Sequence, residues 1–186
     1  MTVIVISTFI VINSNGREKS IEAALNIETT SNHRIIYEEP TDKGSIIFGI
    51  STGNFKEYLF TAFVNKNLFG YKDLYSGVSS IDGFDARDLT VQYFPAIKQT
   101  SLPIYFGVIL NNEIETVSVK QVNSSEVKMA KIIEAGGTRI WLVYMNGFEG
   151  TEFEIDGYSR DGTCVYNLKD TTPWKVEQKP IKSPYE

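Results

Sequence analysis

Apolar and polar positions alternate with a period of two along most of this chain, and turn residues interrupt them at short intervals. Four runs follow His33: Arg34 to Glu38, Gly44 to Ser51, Glu57 to Asn65 and Phe69 to Ser76, all rich in Ile, Val, Phe and Tyr. Such residues favour extended backbone, and Pro40 to Gly44, Thr52-Gly53-Asn54 and Asn65-Lys66-Asn67 punctuate it. Parallel neighbours would need connections of a dozen or more residues, so the short links predict an antiparallel meander. Just upstream the period changes. Arg17 to Ile27 places Ile21, Ala24 and Leu25 on one face and Glu18, Lys19 and Glu22 elsewhere. Asn15 and Glu18 have capping-box spacing. The expectation is a short amphipathic helix, open to continuation into the apolar segment before it, with the meander packed on it.

Ser79 to Thr100 reads as a connector with one strand near Leu89 to Phe94. Ser101-Leu102-Pro103 marks a boundary near residue 100. Beyond it come six short apolar runs: Ile104 to Leu110, Glu115 to Gln121, Glu126 to Ile133, Thr138 to Met145, Thr151 to Tyr158 and Thr163 to Leu168. Asn111-Asn112, Asn123-Ser124-Ser125, Gly136-Gly137, Asn146-Gly147 and Asp161-Gly162 supply the turns, the last with the signature of a type I′ hairpin. Trp141 alternates with apolar neighbours and reads as the core anchor of this second unit. The expected fold class is mainly β (α+β): an N-terminal helix with an antiparallel meander over 17–100, then a small all-β, sandwich-like unit over 101–169. The tail 170–186 holds three of the six prolines and is expected to lack regular structure.

The opening stretch stands apart. Thr2 to Ile12 is almost wholly apolar, and no charged side chain precedes Arg17. It is shorter than the roughly 20 residues that cross a bilayer. Two readings remain open. Residues 1–16 are part of a longer signal or membrane-anchor helix whose basic beginning is missing from this chain, or they form a buried first strand. The first is preferred, because a polar break and a helical pattern follow instead of strand-pairing chemistry.

Composition narrows the chemistry. A 42% apolar and 22% charged chain can build a packed core, and a formal charge of −5 argues against a nucleic-acid partner. The single cysteine, Cys164, excludes an internal disulfide, and the single histidine, His33, excludes a metal site built on paired histidines. Nucleotide-binding glycine motifs and H-E-x-x-H are absent from the sequence.

The runs IYFGVILNNEIETVSV, AKIIEAGGTRIWLVYMN and FEIDGYSRDGTCVYN, within Ile104 to Asn167, resemble the C-terminal β-domain of small exported proteins of Bacillus-type bacteria. The shared features are turn glycines and core aromatics over about 65 residues. The resemblance implies an N-terminal signal or anchor helix and carries over no catalytic or binding residue. This chain departs from it by lacking a basic start before the apolar stretch.

Candidate sites are few. Glu152, Glu154 and Asp156 share one strand face, which suits either a hard-cation site or a solvated surface. Asp82, Asp85 and Asp88 recur every three residues, a spacing that fails the EF-hand loop. Ser125 and Lys128 match S-x-x-K by letter, but on a strand the lysine points away from the serine. Asn123-Ser124-Ser125 matches a glycosylation acceptor, and His33 reads as an edge residue. Seven aromatics fall between Phe55 and Tyr75. Most are expected in the core, and Tyr58, Tyr71 and Tyr75 are the candidates for an exposed binding face.

These features lead to an expected role as a non-enzymatic extracytoplasmic protein, anchored in the membrane or secreted. It would bind an envelope component or a protein partner without cofactor, metal or nucleic acid. Two alternatives stay open: a soluble cytoplasmic binding or immunity-type protein, and a hydrolase using two carboxyls about 5–10 Å apart.

Overall fold

The computed structural model describes residues 16–27, 32–53, 56–81, 88–98 and 100–176. The chain divides into two compact units, Met1–Asp82 and Gly83–Glu186. The architecture is mainly β, in three antiparallel four-stranded sheets.

The first unit holds the meander in sequence order. Strands β1 (His33–Thr41), β2 (Gly44–Gly53), β3 (Lys56–Asn67) and β4 (Gly70–Ser80) pair as β1-β2-β3-β4. Residues paired across strands point to the same face. Ile47, Phe60, Ala62 and Val64 therefore line one face, where they form a buried cluster with Ile21, Ala24, Leu25, Ile27, Ile35 and Tyr71 against them. Ile46, Phe48, Ile50, Leu59 and Phe63 lie on the opposite face and are also buried.

The expected helix over Arg17 to Ile27 is corrected to one short helix, α1 (Ile21–Ala24). Arg17 and Glu18 are committed elsewhere. The Glu18 and Tyr71 backbones exchange two 2.8 Å hydrogen bonds, and the Arg17 guanidinium donates to Gly70 O and Asn65 Oδ1. The start is set by Ser20, whose Oγ accepts from Ala23 N at 3.2 Å. The end is set by Asn26 in the left-handed region at φ 54°. Ile27 N donates to Glu22 O and Asn26 N to Ala23 O, the paired bonds of a Schellman stop. Continuation of a helix into residues 1–15, and their role as a signal, anchor or strand, lie outside the described residues.

The second unit begins earlier than the sequence suggests. Leu89 bridges to Ile109, and β5 (Gln92–Phe94) pairs with β6 (Ile104–Ile109), so part of the expected connector is edge structure. One sheet runs β5-β6-β10-β9, with β9 (Lys131–Ala135) and β10 (Thr138–Tyr144). The other runs β12-β11-β7-β8, with β7 (Thr116–Gln121), β8 (Val127–Met129), β11 (Gly150–Tyr158) and β12 (Cys164–Val176). The run Glu126 to Ile133 is split. β8 serves one sheet and β9 the other, with Ala130 between them.

The expected unstructured tail is corrected for its first seven residues. β12 continues to Val176 because β11 offers it partners, Phe153 opposite Asp170 and Gly150 opposite Val176. Residues 177–186 lie outside the described residues. Asp161-Gly162 also differs from expectation. Only Gly162 has positive φ, so the turn is not type I′, which needs it at both central residues. Gly136 and Gly137 both have it, and they close the two-residue β9–β10 hairpin.

Both sheets of this unit contribute to one core: Tyr105, Trp141 and Val143 from one, Val117, Val119, Phe153 and Ile155 from the other. Trp141 is fully buried, as its alternation predicts, and its Nε1 donates to Thr90 O at 2.9 Å. Thr90 also ties itself to β6, giving its N–H to Val108 O and accepting Val108 N–H on Oγ1. This close crossing needs Gly107, where an added Cβ would lie 1.8 Å from Thr90 O and 2.7 Å from Trp141 Nε1. A Gly107→Ala change is expected to cost about 3 kcal/mol in urea unfolding, because backbone atoms cannot step aside. Gly53→Ala meets nothing within 4 Å and is expected to cost under about 1 kcal/mol. Equal losses for the two would contradict the crowding argument.

Candidate functional site

The helix-side face of the first sheet is shaped by a single irregularity. Register shifts between Phe63 and Val64: Phe63 faces Tyr75, while Val64 faces Asp73. Leu74 is the extra residue of a β-bulge in β4. Without it Tyr71, Asp73 and Tyr75 would share a face. With it, Asp73 and Tyr71 stay on the helix side, Tyr75 turns to the other face, and Ser76 and Val78 join Asp73. The Asp73 carboxylate fixes the offset locally, since its Oδ1 accepts Tyr75 N–H at 3.1 Å. Ser76 donates a further side-chain hydrogen bond to the same carboxyl.

Above this face α1 covers only part of the sheet, because it is a single turn long. The remaining gap is a partly open cavity of about 230 Å³. Its walls are Leu25 and Ile27 from the helix end, Phe60 and Ala62 from β3, His33 from β1, and Asp73, Ser76, Gly77 and Val78 from the bulged strand. Phe60 folds across Gly49, where a Cβ would meet its ring at 2.1 Å, and its ring centroid lies 5.9 Å from that of His33. Asp73 is thus a half-buried carboxyl among apolar walls. Burial raises its pKa above the ordinary 3.8, and the Ser76 and Tyr75 hydrogen bonds oppose that rise.

The sequence-derived tyrosines do not assemble into one surface. Tyr58 and Tyr71 lie on the helix-side face but far apart. Tyr71 pairs with Lys66, eight residues along β3 from Tyr58, or about 26 Å at the usual strand rise. Tyr75 lies on the opposite face. Tyr71 packs in the apolar cluster with Lys66 Nζ 5.2 Å from its ring centroid.

The other candidates take structural positions. Glu154 lies 4.0 Å from Lys169, and Asp156 accepts hydrogen bonds from Asn167 and Tyr158 on the outer face of β11. Lys128 donates to the Tyr144 and Asn146 carbonyls with Nζ 5.0 Å from the Phe148 ring centroid, so it braces the turn after β10. Asp82 and Asp85 lie outside the described residues, and Asp88 uses its carbonyl to hold Leu110 and Asn111. Cys164 is exposed, with Sγ 3.2 Å from Tyr166 O. Among the described residues no group of three His, Cys, Asp or Glu side chains could hold a metal ion.

An open groove beside the β11–β12 turn carries Glu113, Glu115 and Asp161. Ser159 Oγ and Thr163 N–H donate to Asp161 at 2.6 and 3.0 Å and hold its carboxyl down to about 2. A general acid for glycoside cleavage needs the opposite, a raised pKa. Among the described residues Asp73 is the carboxyl that burial raises, and the cavity wall described holds no second one. Burial also raises two second-unit tyrosines: Tyr93 to about 12, and Tyr105 further, with its OH donating to Asp170 at 2.7 Å.

Asp73 was not singled out by the sequence reading. Its signal was an acidic residue inside the strand-forming run Gly70 to Ser80, where Asp is disfavoured.

The fold and cavity define a mainly β protein with antiparallel sheets and a small carboxyl-bearing apolar cavity. Comparison with protein-family models, curated proteins and solved structures finds no match.

The raised pKa of Asp73 has a sign that can be checked. Folding favours its protonated form, so the contribution is complete below 3.8 and is lost as pH rises through the higher folded-state value. Asp73→Asn keeps an acceptor for Tyr75 N–H and removes the charge. Urea midpoints across the acid range are expected to show that decline in the wild type and a flatter profile in Asp73→Asn. Parallel profiles would show that burial does not control this carboxyl.

Proposed function

We propose that this protein is a non-enzymatic binding module working outside the cytoplasm, held at the membrane or released through its apolar N-terminal stretch. It acts by contact with an envelope component or a protein partner. The observation that carries the binding role is the cavity under α1. Among the described residues it has a sheet floor, mostly apolar walls completed by His33 and Ser76, and one carboxyl, the composition of a site that holds a ligand in one orientation. Acid–base hydrolysis of sugars uses two carboxyls across a cleft, and among the described residues this wall supplies one.

The location rests on the Thr2 to Ile12 stretch and on the resemblance of Ile104 to Asn167 to exported β-domains. In the second unit two sheets share a core, which is consistent with a sandwich-like scaffold. No helix among the described residues is long and apolar enough to cross a membrane. The acidic balance of the chain favours a partner other than nucleic acid.

Fractionation of the producing cells, followed with an antibody to the intact chain, is expected to place the protein in the membrane or extracellular fraction. Recovery wholly from the cytosol would overturn the location and favour the cytoplasmic binding protein.

A further inference from the structure

The cavity under α1 has a charge preference as well as a shape. Its apolar surface comes from Leu25, Ile27, Phe60, Ala62 and Val78, its acidic group is Asp73, and His33 and Ser76 complete the polar part of the wall. Among the described residues no lysine or arginine forms an ion pair with Asp73. Its hydrogen bonds come from Tyr75 N–H and the Ser76 hydroxyl. Both donors belong to the bulge itself, so one side of the carboxyl is fixed by β4.

We infer that this cavity binds a small primary ammonium carried on an apolar stem, with the ammonium against the Asp73 carboxylate and the stem between α1 and the sheet. This inference rests on the binding role proposed above and not on where in the cell the protein works.

The size of the cavity sets the ligand class. About 230 Å³ holds roughly eight water-sized groups at ~30 Å³ each. A six-carbon amine fits that space, and a long lipid chain does not. The chemistry sets the sign. An ammonium donates charge-assisted hydrogen bonds to a carboxylate that apolar neighbours shield from water. A carboxylate or phosphate in the same place would meet like charge. A neutral alcohol would gain the same stem contacts without the charged pair. Val78 is 65% exposed, so the cavity can be narrowed at its rim without touching the core.

Methyl NMR titrations of the full chain at neutral pH with hexylamine, hexanol and hexanoate test this. Hexylamine is expected to shift the Leu25, Ile27 and Val78 signals and to bind about tenfold more tightly than hexanol, with hexanoate weakest. Asp73→Asn preserves the acceptor for Tyr75 N–H and is expected to lose about tenfold for hexylamine while hexanol is unchanged. Val78→Trp, at the exposed rim, is expected to weaken both ligands. Hexylamine binding no better than hexanol, or binding equally well to Asp73→Asn, overturns the charge assignment and leaves an apolar binding site standing. Signals unmoved by all three ligands overturn both the assignment and the cavity as a binding site.

Discussion

A carboxylate holding a backbone amide two residues ahead is the interaction on which the candidate site depends. Asp73 accepts Tyr75 N–H inside β4, and the chain takes up one extra residue at Leu74. Every position beyond that point changes face, because side chains in a strand alternate with period two. Ser76 and Val78 turn toward the helix, and Tyr75 turns away. The same side chain that fixes the offset ends up as the cavity's carboxyl. Its structural role and its proposed ligand-binding role are therefore linked, and Asn at this position separates them by keeping the acceptor and removing the charge.

The cavity also depends on α1 being short. Glu18 pairs with Tyr71 through two backbone bonds, which fixes the chain at one edge of the sheet. Ser20 then starts the helix and Asn26 ends it, so Leu25 and Ile27 reach only part of the apolar face. A longer helix would fill the gap with its own side chains. The second unit closes its core by a different route. Trp141 reaches Thr90 O across Gly107, and the missing Cβ permits a backbone approach that any other residue would block.

Much of the β architecture was legible in the sequence. Alternating runs with Gly, Asn and Pro between them mark all four meander strands and the main strands of the second unit, because those signals are local. What the sequence concealed was non-local. Arg17 to Ile27 has a helical pattern, yet Glu18 is captured by Tyr71, more than fifty residues away in sequence. The proline-rich tail reads as irregular, yet Asp170 to Val176 is ordered by pairing with β11. Likewise, Leu89 and Gln92–Phe94 gain their place from β6. The candidate site was hidden for a further reason. Tyr58, Tyr71 and Tyr75 look equivalent by composition, and only the bulge reveals that the third faces the other way. Asp73 carried a weak local clue, a charge in a strand, whose meaning depends on what lies above it.

The α1 cavity surrounds Asp73 with enough apolar surface to make its charge costly when no ligand is bound. Carbon-detected NMR titration of the Asp73 carboxyl in the unliganded protein measures this directly. A midpoint above the ordinary 3.8 is expected. A midpoint at or below 3.8 would mean that water or a cation already compensates the carboxylate and that apolar burial does not govern the site.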